Sequence, residues 1–324
     1  MRCKIICNPK SGRHTAPQKL ERIVGKLVME NGFSVVDVYY TAATGDARRA
    51  AAAAQAGEYD FIIGAGGDGT FNEIANGLMD SGSGLPLAML PGGTINDLAY
   101  YLNLPTEPEE FCRMINHGAL REVDLGCANG RYFVSAAAFG MFADIGYKTD
   151  NRDKSVLGKM AYYLRGMRDL PEQLFSSMQL EICCGGENIT GEALVCIIAN
   201  SPSVGGARNL ISKAKVDDGL FDLFLFRKPD AGYLSETFQS LLNGEWLGLG
   251  IIQQRQISEA TFRTLDGKQV ELDLDGENCG MLPLTMKVVP KALKLFAPDF
   301  TAQWRINSGR GLFLSEAGSH KENK

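Results

Sequence analysis

The first 125 residues alternate short apolar runs with stretches of helical periodicity. Residues 4–7 read as a strand. Leu20, Ile23, Val24, Leu27 and Val28 then recur at the spacing of one helix face. Residues 33–40 return to strand, and residues 46–56 form an alanine-rich helix. Residues 60–64 are a strand running into a glycine-rich turn, after which Phe71, Ile74, Ala75 and Leu78 stand at i, i+3, i+4 and i+7. Residues 86–90 feed a second glycine turn, followed by helices at 94–102 and 108–117. This order predicts an α/β domain over residues 1–125, a doubly wound parallel sheet with helices on both faces. Ligands of such sheets bind outside the carboxyl ends of the strands.

Beyond residue 121 the pattern changes. Residues 132–139, 178–184, 193–199, 220–226, 256–263, 269–275 and 284–289 read as strands. Asn129-Gly130, Gly185-Gly186 and Asp266-Gly267 supply tight-turn signals between several of them. Residues 126–290 are therefore expected to form a β-rich, sandwich-like second domain, with helices near 157–168 and 231–242. Residues 309–324 are polar and expected to be disordered.

Composition narrows the function. A chain of 324 residues suggests two domains, and 45% hydrophobic with 22% charged residues suits a globular protein. A net charge of −5 argues against nucleic acid as a partner. There is no apolar run of transmembrane length, and the first residues lack the apolar core of a signal peptide, so a cytoplasmic protein is expected. The eight cysteines form no CxxC pair and read as buried, reduced thiols. His14, His117 and His320 show no triad or zinc spacing.

The chemistry concentrates in the two glycine turns. In the first, Gly66, Gly67 and Gly69 allow a phosphate to approach the backbone closely. The start of the following helix favours an anion. Asp68 would repel bare phosphate and makes better sense beside Mg²⁺. Thr70 and Glu73 also fit a capping box, a motif worth about 1 kcal/mol that can coexist with phosphate binding. The second turn, Pro91-Gly92-Gly93-Thr94, leads to Asn96 and Asp97, and Thr94 and Asp97 repeat the capping pattern. Two such corners on adjacent strand ends suit a polyphosphate and its metal. The loop Asn8-Pro9-Lys10-Ser11-Gly12 after the first strand offers N–H groups and the Ser11 hydroxyl. No GxxxxGK[ST] motif is present, so positive charge must come from Mg²⁺, backbone dipoles and Lys10 or Arg13. Val270, Leu272 and Leu274 point inward on an alternating strand, and Glu277 falls just past it. Glu277 is either an exposed hairpin acid or a carboxylate free to enter a cleft and accept a hydroxyl proton. Asp218-Gly219, in the run from Lys215 to Asp222, reads as a turn that starts a strand.

The run Gly66-Gly67-Asp68-Gly69-Thr70-x-Asn72-Glu73 resembles the diacylglycerol kinase catalytic domain, a family that includes bacterial soluble lipid kinases and the sphingosine kinases. The Gly-Gly-Asp-Gly-Thr core alone is shared with NAD kinases and resembles 6-phosphofructokinases. Five ordered motifs over roughly residues 1 to 300 carry the closer resemblance. It implies an N-terminal ATP-binding domain in which Asn8, Pro9, Lys10, Ser11, Gly12, Thr41, Gly66, Gly67, Asp68, Gly69, Thr70, Asn72, Glu73 and Thr94 face the nucleotide. Asp68 and Asp97 would organise catalytic Mg²⁺, and Glu277, in the Asp-Gly-Glu motif, would be the catalytic base. Asp124 would join the acid network or serve structure. Asp218, with the main-chain carbonyls of Lys215 and Leu220, would hold a second, structural Mg²⁺. Residues 291–308 would return to the first domain. Against the family pattern the second corner carries an extra glycine, Gly93, expected to be conformationally mild.

The resemblance implies an ATP-dependent kinase that phosphorylates diacylglycerol to phosphatidic acid, working in the cytoplasm at the inner face of the membrane. Another lipid alcohol such as a sphingoid base, an NAD kinase-like reaction, and a non-catalytic nucleotide sensor are the alternatives. Membrane contact is expected of the basic segment holding Arg152, Lys154, Lys159, Arg165 and Arg168, or of the apolar run from Trp246 to Ile252. An edge strand would serve a homodimer.

Overall fold

The computed structural model describes residues 1–11, 16–30, 32–140, 177–203, 214–227 and 252–299. The expected helices at 157–168 and 231–242, the basic membrane-contact segment, the apolar one up to residue 251, Gly12, Arg13 and the tail lie outside the described residues.

The N-terminal sheet contains β1 (Arg2–Cys7), β2 (Val35–Tyr40), β3 (Phe61–Gly66) and β4 (Leu87–Pro91) in the order β2-β1-β3-β4, all parallel. Helices α1 (Ala16–Met29), α2 (Asp46–Ala52), α3 (Asp68–Ser81), α4 (Asp97–Tyr101) and α5 (Pro108–His117) connect and flank it. β3 and β4 are buried at every position, as parallel strands covered on both faces should be. On α1, Leu20, Ile23 and Leu27 are fully buried, each contributing about 1.5–3 kcal/mol. Val28 is 45% exposed, so the apolar stripe is narrower than its spacing suggested.

The second half contributes β5 (Ala119–Ala128), β6 (Arg131–Phe133), β7 (Ala136–Gly140), β8 (Met178–Cys184), β9 (Glu187–Ala193) and β10 (Val195–Ala199). It continues with β11 (Phe221–Phe226), β12 (Ile252–Ile257), β13 (Glu259–Thr264), β14 (Glu271–Leu274), β15 (Glu277–Met281) and β16 (Leu284–Ala297). One six-stranded antiparallel sheet runs β12-β11-β10-β7-β14-β15. The facing layer is not separate from the parallel sheet. β16 joins them, pairing in parallel with β4 at Leu295 and antiparallel with β13 over 284–287, and the large sheet continues to β8 and β9. The two layers of the sandwich meet where Phe139 packs edge-on against Phe262, centroids 5.3 Å apart.

Several expected strands are divided. The single strand expected at 132–139 is β6 and β7, broken at Val134-Ser135. The one expected at 256–263 changes layers at Ser258, so that β12 pairs with β11 while β13 pairs with β8 and β16. β16 carries a register shift between Val289 and Leu293 and a positive φ at Lys291, where Asp124 Oδ1 accepts the Lys291 N–H at 2.7 Å. Of the cysteines, Cys3, Cys7, Cys112, Cys184 and Cys196 are buried, whereas Cys127, Cys183 and Cys279 are half-exposed. Burial pushes the Cys3 thiol up to about 12, in line with an inert core group.

Candidate active site

The first corner is set by close packing. A Cβ on Gly66 would lie 2.6 Å from the Thr70 side chain, and one on Gly67 would lie 3.1 Å from Gly93 Cα. Gly69 is different, because a Cβ there meets open space. Gly66 is thus demanded by the fold itself, Gly67 is tightly packed against Gly93, and Gly69 is free of such packing. α3 begins at Asp68 with Gly67 as its N-cap and no side-chain cap. The Thr70–Glu73 capping box is therefore not formed. Glu73 reaches instead to the neighbouring helix, where its carboxylate accepts the N–H groups of Gly45 at 2.8 Å and Ala47 at 3.1 Å, capping α2. Asp46 accepts from Ala42 and Ala43, both at 2.8 Å, and pairs with Arg49. Those N–H donors hold its carboxyl below the ordinary range. Together Glu73 and Asp46 pin the loop of Thr41, Ala42, Ala43 and Thr44.

The second corner leans on the first. Asp68 Oδ2 accepts the Asn96 N–H at 2.8 Å and Oδ1 accepts the Asp97 N–H at 2.9 Å. Burial raises the Asp68 carboxyl, with these two donors opposing. The cap of α4 thus comes from Asp68, not from a Thr94–Asp97 pair. Asn96 sits in the left-handed region and closes the turn by exchanging hydrogen bonds with Gly93. Gly93 is not a mild addition. A Cβ there would stand 2.6 Å from Gly67 Cα and 2.8 Å from Asn96 Oδ1, so only glycine lets the two corners touch.

A cavity of about 420 Å³ opens beside the first corner. Asn8, Lys10 and Ser11 from the first loop line it, with Thr41 to Thr44 after β2, and Gly67, Gly69, Thr70, Asn72 and Glu73 from the corner and α3. Asn8 Nδ2 donates to Thr70 Oγ1 at 3.3 Å, tying the first loop to the helix. Arg131, Asp275 and Glu277, all beyond β5, complete the lining. Of the expected nucleotide residues, Pro9, Gly66, Asp68 and Thr94 do not line this cavity, nor does Asp97, which is buried.

Asp275 and Gly276 form the two-residue turn between β14 and β15, both at positive φ, as a type I′ hairpin requires. Glu277 opens β15 opposite Leu274 and is exposed. It is both a hairpin acid and a cavity residue. Asp275 was not anticipated. Its Oδ2 accepts from Asn72 Nδ2 at 2.7 Å and the Val134 N–H at 2.6 Å, and its Oδ1 accepts from Ser135 and Ala136 N–H at 2.8 and 3.0 Å. Burial raises its carboxyl and the four donors pull the other way. One carboxylate thus satisfies the break between β6 and β7 and joins it to α3. Asn76 adds to this joint, giving Nδ2 to the Tyr132 carbonyl at 2.9 Å and taking the Tyr132 N–H at 3.0 Å. Arg131 was also unforeseen, since it follows a turn and looks like any solvated strand end.

The expected metal ligands fall at two places, Asp68 and Asp97 together at the corners and Asp218 in the turn before β11. Among the described residues no group of three or more His, Cys, Asp or Glu side chains is placed to hold a metal ion. Each oxygen of Asp68 accepts one backbone N–H, from Asn96 and from Asp97, which leaves a lone pair on each for a further donor or a cation. Asp124 is buried and holds structure, its Oδ2 accepting Gly219 N–H at 2.7 Å while its own N–H donates to the Val216 carbonyl at 2.7 Å. Asp218 Oδ1 accepts the Leu220 N–H at 3.1 Å, and Lys215 is exposed nearby in the chain.

Comparison with known proteins agrees with this layout. The sequence model of the Diacylglycerol kinase catalytic domain matches residues 2–128. That of the YegS C-terminal NAD kinase beta sandwich-like domain matches residues 135–297. The chain is 32% identical over 298 residues to a diacylglycerol kinase of Staphylococcus saprophyticus, covering 92% of this chain and 96% of that one. It is 33% identical over 283 residues to a diacylglycerol kinase of Bacillus subtilis, covering 87% and 91%. A solved diacylglycerol kinase of Bacillus anthracis str. Sterne superposes with a TM-score of 0.70 at 24% identity, over 91% of this chain and 96% of that chain. Yeast NADH kinase shares the fold at 12% identity with a TM-score of 0.53, over 97% and 90%. The two domain matches and the full-length relatives place this chain in the diacylglycerol kinase family of lipid kinases.

Proposed function

We propose that the protein transfers the γ-phosphate of ATP to the hydroxyl of a membrane lipid alcohol, with diacylglycerol as the favoured acceptor and phosphatidic acid as product. The observation that carries this reading is one cavity shared by the first loop, the glycine corner and the Asp275-Gly276-Glu277 hairpin. The N–H groups and Lys10 suit phosphates. Glu277 is a carboxylate with room to take the acceptor's proton. Names of full-length relatives favour diacylglycerol over another alcohol.

In this reading the acceptor oxygen attacks the γ-phosphorus, the bond to the β-phosphate oxygen breaks, ADP leaves, and the hydroxyl proton passes to Glu277. Asp68 and Asp97 contribute by holding the two corners together. A divalent ion enters as the triphosphate's own counter-ion, and a hydrated magnesium needs few protein ligands there. The Asp218 carboxylate with the carbonyls of Lys215 and Leu220 is the proposed seat of a structural magnesium. Contact with the inner membrane face follows from a lipid acceptor, since no described helix is long and apolar enough to cross a membrane. A homodimer through the exposed edge strand β2 belongs to the same proposal.

The test is phosphate transfer from labelled ATP in mixed micelles containing diacylglycerol, a sphingoid base or neither, with NAD assayed alongside. Label appearing in phosphatidic acid alone supports the reading. Label in a sphingoid phosphate or in NADP would replace the acceptor, and bound ATP with no transfer to any of them would favour a sensor.

A further inference from the structure

We propose that Arg131 is a catalytic residue whose guanidinium grips the phosphoryl group as it passes from nucleotide to acceptor; this rests on the function proposed above. The charged side chains lining the cavity are Lys10 and Arg131 against Glu73, Asp275 and Glu277. Two of the three carboxylates are already committed. Glu73 caps α2, and Asp275 accepts four N–H donors. Lys10, Arg131 and Glu277 remain to act on a ligand. Lys10 belongs to the loop after β1, whereas Arg131 opens β6, the strand whose end is bonded through the Val134 N–H to Asp275, two residues before Glu277.

The backbone at Arg131 is held while its side chain is exposed. Arg131 pairs with Ala128 across the β5–β6 hairpin, and the next residue has both backbone groups bonded to Asn76. Among the described residues the guanidinium has no ion pair. The transferring group spreads negative charge over three equatorial oxygens. A planar guanidinium can meet two of them at once, which a lysine cannot. Lining the same cavity as the base, Arg131 meets the γ-phosphoryl at the moment of transfer. It moves no proton, and the proton of the hydroxyl still goes to Glu277.

The experiment compares wild type with Arg131→Gln and Arg131→Lys, reading kcat, the KM for ATP, and calorimetric affinities for ATP and ADP. Loss of about 10²–10³-fold in kcat for Arg131→Gln is expected, with Arg131→Lys recovering only part. ATP affinity should fall while ADP affinity holds, and added guanidinium should restore some rate to Arg131→Ala. If kcat and both affinities of Arg131→Gln stay within about twofold of wild type, the assignment is wrong. The nucleotide arm needs no acceptor. If wild type binds ATP but phosphorylates no lipid, the functional reading fails, and the ATP-against-ADP contrast still decides whether Arg131 meets the γ-phosphate.

Discussion

Asn72 Nδ2 donates to Asp275 Oδ2 at 2.7 Å, across 203 positions of sequence. Asn72 stands on the helix that begins at the phosphate corner, and Asp275 turns the hairpin that carries Glu277. This bond therefore links the place where a nucleotide would sit to the place where a proton would be taken. Asp275→Ala leaves four N–H donors without an acceptor in a partly buried site. It should destabilise the protein on the order of 3 kcal/mol or more. Asn72→Ala takes one of the four donors from Asp275, together with the Asn72 contacts to the Tyr132 carbonyl and Asn76 Nδ2, and should cost about 1–3 kcal/mol. Urea unfolding of the two variants checks the order, and equal midpoints would show that Asp275 is not the hub.

Two glycines of the paired corners, Gly93 and Gly69, should separate packing from binding. Gly93→Ala places a methyl 2.6 Å from Gly67 Cα, and backbone cannot yield cheaply. A loss of about 1–3 kcal/mol is expected from this overpacking. Gly69→Ala puts its methyl in open space, so stability should hold or rise slightly while ATP affinity falls. Thermal unfolding beside ATP titration reads both effects. A Gly69→Ala protein with unchanged ATP affinity would remove Gly69 from the phosphate site.

Asp46 gives the loop of Thr41 to Thr44 a pH dependence. Its carboxyl is lowered in the folded state by the Ala42 and Ala43 N–H groups and then by Arg49. A depressed folded value means stabilisation present above the ordinary aspartate value of about 3.9, lost as pH falls through the lower folded value. Wild type should therefore exceed Asp46→Asn in stability at about pH 7 and converge with it in acid below that ordinary value. Denaturant midpoints measured across this range test the sign. A gap that widens in acid would contradict it.

Much of this was legible in the chain, and the rest has identifiable reasons for being hidden. The strands into both corners and the helix after the first were readable because buried parallel strands are continuous apolar runs and α3 keeps a regular stripe. The capping patterns misled because Thr-x-x-Glu measures spacing along one helix, whereas Glu73 spends its carboxylate on α2 and Asp68 spends its own on α4. Asp275 and Arg131 gave no local signal. An Asp-Gly turn and a strand-end arginine become site residues only when β14–β15 and β5–β6 fold against α3. The break at Ser258 was invisible because both halves alternate like strands, and only their partners differ.

The central claim is that the cavity holds ATP with Glu277 as the base, and one comparison tests it most directly. Wild type and Glu277→Gln would be assayed together for γ-phosphate transfer to diacylglycerol in mixed micelles and for ATP binding by calorimetry. The account predicts transfer by wild type, a loss of at least about 10²-fold in Glu277→Gln, and ATP affinity unchanged within about twofold. Transfer by Glu277→Gln at the wild-type rate would contradict it, whatever the affinity for ATP.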